Sequence, residues 1–421
     1  MIPMPFDLRI QIRPALFAVW ALTALGAPAF AADFTLKQLL EIGADRHPSV
    51  LQARNQAQAA GFDVEAAQWG RFPTVSSQLR SDTNQSQSLA KVEQPLWTGG
   101  KLTSRIKLSE ANLRAAEASV HEAEYNALTQ VATAFFETLR LERRLQSATL
   151  NVTEHERLVA LIKRRSEAEI SPPADTTLAQ ARLQQAVSER IQIKKQLDAS
   201  LTTLAQWTVP LNGTLKAPAD IVFTRPAESV LLERAIANSA QRTRLMSQIE
   251  SADAQINVSK AQVLPTLVAG FQHTWGGLVP ANYDRNKGYF GLEFQSGAGL
   301  SARAGVQAAV SRKEATQQEL ETLERNLTAQ VNAGVSELEA LEAQLEPSTA
   351  LLAGTTEVVE SYLRQYQVGR KNWLDVLNAQ REKTQALYSD ADTRFGYQLS
   401  KVRLMIMTGD IKAQQLTALH D

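Results

Sequence analysis

The stretch Tyr366-Gln-Val-Gly-Arg-Lys-Asn-Trp-Leu-Asp-Val-Leu-Asn-Ala-Gln380 places a carboxylate and an amide where they can act together. Gly369 interrupts a long heptad-like helix, and Asn372 is suited to cap the next one. Asp375 and Asn378 are three apart, so they share the first exposed face of that second helix. Ile170-Ser-Pro-Pro-Ala-Asp175 breaks an earlier long helix, and Leu178-Ala-Gln180 follows it. Asp175 and Asp375 are 200 positions apart, as are Ala179 and Ala379, and Gln180 and Gln380. Two copies of one helical hairpin tip are the simplest explanation. An acid in a first helical turn is also favoured by the helix dipole alone, so both readings of the two aspartates stand.

Nothing else in the chain points to covalent chemistry. There are no cysteines, which excludes thiol catalysis, Cys-ligated zinc, disulfides and an N-terminal lipid-bearing Cys. The five histidines, His47, His121, His155, His273 and His420, form no pair at metal-ligand spacing. They suit cap, surface or packing roles. No Walker-type glycine loop occurs. No enzyme, cofactor or metal site is expected. Lys plus Arg and Asp plus Glu stand at 44 each, so no basic field points to nucleic acid.

The elements that position these residues follow from pattern and breakers. Residues 1–31 carry a secretory signal: Arg9 and Arg13, an apolar run from Ala15 to Ala24, and the small-x-small site Ala29-Phe-Ala31. No other run is long and apolar enough to be a helical span. Helices are expected over Asp33 to Arg46 and Ser49 to Gly70. From Thr74 to Trp97 apolar and small polar residues alternate imperfectly in two segments parted by Asp82 to Ser86. That texture suits a tilted membrane β-hairpin, or an exposed soluble one.

A helix free of Pro and Gly then runs from Gly100 to Ser171. Its seam is Leu145, Ala148, Val152, His155, Val159 and Ile162. About 65 residues at 1.5 Å each give a rod of roughly 100 Å. The return helix, Ala174 to about Gln206, offers Leu183, Val187, Leu197, Leu201 and Leu204. Trp207 to Arg225 is a linker in which Ile221-Val-Phe223 suggests a strand.

The second half repeats the first. Leu39-Leu-Glu41 matches Leu231-Leu-Glu233, and Phe72-Pro-Thr-Val75 matches Leu264-Pro-Thr-Leu267. Thr98-Gly99 matches Ser296-Gly297, and Leu102 matches Leu300. The expected division is a first repeat over 32–225, with hairpin 74–97 and tip 166–175, and a second over 226–421, with hairpin 266–295 and tip 366–375. The second hairpin turns at Gly276 to Asp284. A second long helix, Ser301 to Gln367, keeps a seam from Leu320 to Leu345, and Pro347 is a candidate kink. Trp97, Trp275, Tyr289 and Phe294 near strand ends suit a membrane-interface belt, with packing inside a soluble hairpin as the alternative.

This order of motifs, over about Asp33 to Ile411, resembles the outer membrane efflux protein family of TolC-like channels. The carriers are the signal, the twofold repeat, the Phe-Pro-Thr and Leu-Pro-Thr helix ends, Gln94-Pro-Leu-Trp-Thr-Gly-Gly100, and Tyr366 to Gln380. The resemblance implies a mainly α fold with a membrane β-barrel: a homotrimer with four strands per protomer, twelve in all, above a periplasmic α-barrel of long coiled-coil helices. It places Asp375 and Asn378 at the pore constriction. It makes Asp175 and Tyr366 members of a gate latch, with Arg370 and Lys371 both near enough to be its basic member.

It also implies an outer membrane exit duct, extending into the periplasm and set in outer membrane lipid. The partners would be a periplasmic adaptor and an inner membrane transporter, of ABC type for protein secretion. The tip Glu169 to Asp175 looks similar to outer membrane components of type I secretion, and the missing Cys departs from many drug-pump members. A multidrug or small-molecule efflux pump is the alternative cargo class. A periplasmic coiled-coil adaptor or scaffold is the alternative of another class, but it would not need two barrel-like hairpins. A passive porin would not need so much coiled coil.

Overall fold

The computed structural model describes residues 33–82, 85–218, 221–276, 284–294 and 301–413. The expected signal over 1–31, most of the second hairpin turn, the Ser296-Gly297 and Leu300 matches and His420 lie outside the described residues. The elements are α1 (Leu36–Arg46), α2 (Pro48–Trp69), β1 (Thr74–Asp82), β2 (Gln85–Trp97), α3 (Lys101–Glu167) and α4 (Pro173–Trp207). They continue with α5 (Glu228–Asn238), α6 (Ala240–Ala261), β3 (Thr266–Gly276), β4 (Asn286–Glu293), α7 (Ser301–Gln367) and α8 (Trp373–Thr408). Lengths repeat closely: 11 residues in α1 and α5, 22 in α2 and α6, 67 in α3 and α7.

Local chemistry fixes the helix starts. Helix α1 begins at Leu36 and not at Asp33, because Thr35 and Gln38 form a reciprocal capping box. Phe34 instead bridges Leu215 of the linker in parallel, with its N–H donating to the Thr214 carbonyl at 2.9 Å. Ile221-Val-Phe223 is not a strand. Ile221 is buried on the core, so its apolar run signals burial and not pairing. The ring of His47 caps α2, accepting from Ser49 N–H at 3.3 Å ahead of Pro48.

The main core gathers where α1, the middle of α3, the end of α4 and the end of α8 meet. Leu39, Leu40, Val131, Phe135, Phe136, Leu204 and Val402 are fully or almost fully buried there. The two phenylalanines meet edge to face at 5.4 Å. Farther along, Ala148, Val152, His155 and Ile162 line the α3 seam as the heptads require.

The α4 seam differs from the leucine pattern. Ala179, Ala186, Ile193, Leu197, Ser200 and Leu204 are buried, while Leu183, Val187 and Leu201 only flank the contact. Small side chains let two backbones approach closely, and they leave little hydrophobic signal. Helix α7 runs unbroken through Pro347 to Gln367. Helix α8 packs on both α7 and α3. Asn151 Oδ1 accepts from Gln380 Nε2 and from Thr384 Oγ1, each at 3.0 Å, which satisfies a buried polar site between α3 and α8.

The four strands form one antiparallel sheet in the order β1-β2-β3-β4. Pairing places Val75, Val92, Phe271, Phe290 and Leu292 on one face. That face is solvent-exposed in the single chain: Val75 73%, Leu79 78% and Phe290 80%. The other face carries Lys91, Glu93, Gln272, Lys287 and Tyr289. The first turn is tighter than expected, since Asp82 pairs with Gln85 and Ser81 with Ser86. Gly276 also belongs to a strand, opposite Gln87.

Candidate functional site at the hairpin tips

Both long helices end in the same way. At the first tip Ile170 N–H donates to the Arg165 carbonyl at 2.8 Å and Glu169 N–H to that of Ser166 at 3.0 Å. At the second, Arg370 N–H donates to Gln365 at 2.8 Å and Gly369 N–H to Tyr366 at 3.0 Å. These are paired C-cap motifs with a left-handed residue, Glu169 at φ 59° and Gly369 at φ 77°. Glycine adopts that conformation freely, and a residue with a Cβ is strained by roughly 1–2 kcal/mol. Glu169→Gly is therefore expected to stabilise the first tip by about 1 kcal/mol, read as slower hydrogen exchange at the Ile170 amide.

Below the turns, a small core joins all four long helices: Leu158, Ile162, Ala179, Tyr366, Trp373, Val376 and Leu377. Tyr366 is its centre, with 5% exposure. Its ring lies 5.6 Å from Trp373, and the Arg165 guanidinium stands 4.7 Å above it. Its hydroxyl meets Ser171 Oγ at 3.4 Å, and Arg165 also donates to the Gln367 carbonyl at 3.5 Å.

The expected latch residues are thus distributed differently within one chain. Tyr366 meets Ser171 and not Asp175, which sits half-buried in the first turn of α4 with its N–H donating to the Pro172 carbonyl. Lys371 is 3.8 Å from the Asp375 carboxylate and 4.3 Å from the Tyr362 ring. Arg370 is exposed. The basic group on Tyr366 is Arg165, which sequence reasoning missed. Its one signal was position, one residue before the repeat counterpart of Tyr366.

Asn372 caps α8 by accepting from Asp375 N–H at 3.0 Å. Asp375 and Asn378 are both half-buried, one turn apart. Their neighbours Val376 and Leu377 are buried in the tip core, so that core fixes the face on which the polar pair stands.

The strand aromatics divide between the two sheet faces. Trp275 shares the apolar face with Phe271, is 49% exposed, and packs on His273 at 4.3 Å. Trp97 ends β2, and exposed Phe294 follows β4. Tyr289 is on the polar face, apart from the other three. Its hydroxyl donates to Glu93 Oε1 at 2.5 Å, with Lys91 5.8 Å from the ring. Gly270 opposite it leaves the space for the ring. Alternation decides this: Phe290 takes the apolar face, so Tyr289 cannot. No described helix is long and apolar enough to cross a membrane.

Comparison with known proteins adds a family match. The model of the outer membrane efflux protein family matches residues 39–208 and 231–410. The chain is 23% identical to the cobalt-zinc-cadmium resistance protein CzcC of Cupriavidus metallidurans, covering 85% of each chain. It is 25% identical to the nickel-cobalt-cadmium resistance protein NccC of Alcaligenes xylosoxydans, over 79% of this chain and 75% of that one. Among solved structures it resembles the outer membrane protein VceC of Vibrio cholerae, with a TM-score of 0.75 at 18% identity, covering 89% of this chain and 96% of that one.

Proposed function

The chain belongs to the outer membrane efflux protein family, and on that premise we propose that it is the exit duct of a tripartite export system. One observation carries this reading: a four-stranded sheet with one apolar and one polar face continues into two 67-residue helices, each roughly 100 Å long. Among the described residues, strands β1 and β4 each leave one edge unpaired. Open edges cannot persist in lipid. Three copies, β4 of one beside β1 of the next, close a twelve-stranded barrel. The apolar face then meets lipid, and Lys91, Glu93 and Tyr289 face the lumen. Residues 32–225 and 226–421 act as the two repeats of each protomer, and the long helices complete a hollow α-barrel.

In this assembly Asp375 and Asn378 form rings at the periplasmic constriction. Tyr366, held by Arg165 and Ser171, keeps the tips together, with Asp175 and Lys371 beside them. A periplasmic adaptor and an inner membrane transporter of ABC type complete the system. The channel itself does no covalent chemistry. For cargo, the Glu169 to Asp175 tip supports protein secretion of type I. The two relatives named for resistance to cobalt and cadmium favour a second reading, export of divalent metal ions as substrate.

Mass measurement in detergent is expected to give three protomer masses, and a monomer or dimer would overturn the duct. Deleting the gene separates the cargo readings. Lost secreted proteins with unchanged metal tolerance support type I secretion, and cobalt and cadmium sensitivity with an intact secreted proteome supports metal export.

A further inference from the structure

A groove runs over α3 near the tips, with α4 on one side and α8 on the other. Helices α4 and α8 both flank α3 and do not pack extensively on each other. The groove encloses about 90 Å³. A single water needs roughly 10–15 Å³ of such space, so several waters or one tetrahedral ion fit.

Its lining is mostly polar and carries two arginines against one acid. Arg182 on α4 and Arg381 on α8 both reach it. Arg182 donates to Gln185 Oε1 at 2.9 Å, and among the described residues neither arginine has a carboxylate partner. At the floor, His155 is 8% exposed, and its buried Nδ1 has no hydrogen-bond partner among the described residues. Asn378 supplies an amide from the α8 side. Glu189 is the only acid of the lining, and it acts on Tyr388, whose phenol is pushed up by burial and then by that charge. Burial, and next the Arg182 charge, hold His155 below its ordinary value. The imidazole is therefore neutral near pH 7, with one N–H to donate.

We propose that this groove is a binding site for a small tetrahedral oxyanion of phosphate type, held by Arg182 and Arg381 above the buried His155. Two guanidiniums from different helices match such an ion by paired, charge-assisted hydrogen bonds. A bound anion links α4 to α8 across α3. Binding in detergent does not depend on the channel reading, and its failure would leave channel conductance as it is.

The test is calorimetric titration of the intact protein in detergent with inorganic phosphate at fixed ionic strength. Saturable binding is expected, weakened about tenfold in each of Arg182→Gln and Arg381→Gln, the loss of roughly one charge-assisted bond. Arg164→Gln, an exposed arginine outside the groove, should titrate like the parent. Acetate stands in for the carboxylate of a docking protein and should bind more weakly than phosphate. No saturable heat, acetate binding as tightly as phosphate, or both groove variants titrating like the parent would each overturn the proposal. Melting curves of the variants check that the trimer is intact, and binding lost only where melting collapses also counts against it.

Discussion

Tyr366→Ala is expected to raise single-channel conductance sharply in planar bilayers, and Tyr366→Phe to raise it little. The tyrosine is 5% exposed and joins α7 to both tips through Trp373, Arg165 and Ser171. Truncating a buried aromatic costs roughly 3–5 kcal/mol, and the cavity would lie in the small core that joins all four helices. In the proposed trimer, three equivalent copies would apply that cost to one closed state. Phenylalanine keeps the ring on Trp373 and under Arg165. It loses only a long hydroxyl contact, worth at most about 0.5–1.5 kcal/mol per copy. Two variants with the same conductance as the parent would place the gate elsewhere.

Asp375→Ala is expected to abolish cation preference, measured as the reversal potential across a salt gradient. In the proposed assembly three carboxylates on one ring would set the sign of the field in a narrow pore, so removing them would act in triplicate. Lys371, 3.8 Å away, offsets part of each charge. Lys371→Ala should therefore move selectivity the opposite way, towards stronger cation preference. A helix-dipole role for Asp375 predicts no such opposition, because Lys371 lies in the turn before the helix. If neither substitution moves the reversal potential, the ring is not at the constriction.

Much of this was legible in residue periodicity. The heptads of α3 and α7, the cap at Asn372 and the break at Gly369 follow from local chemistry, and the structure has them in place. Within β1 alternation keeps Val75 and Leu79 on one face, and the pairing of Val75 with Val92 puts Lys91 and Glu93 on the other. What was not legible depends on contacts across the chain. Ala179, Ala186 and Ser200 form the α4 seam through closeness and not through hydrophobicity. Tyr289 fits an interface belt by composition, but pairing sets Phe290 on the apolar face, and alternation then puts Tyr289 on the polar one, opposite Gly270. Arg165 carries no local mark of its position over Tyr366.

The equal lengths of α3 and α7 constrain how this gene can change. The two helices come from opposite halves of the chain, yet their tips meet in one core. An insertion in one half alone would lift its tip past the other and rotate its seam off register. Length changes among descendants should therefore be tolerated chiefly as matched pairs of whole heptads, one in each half. The two halves then behave as a molecular ruler with coupled scales, and their indels should be inherited together even while their sequences drift apart.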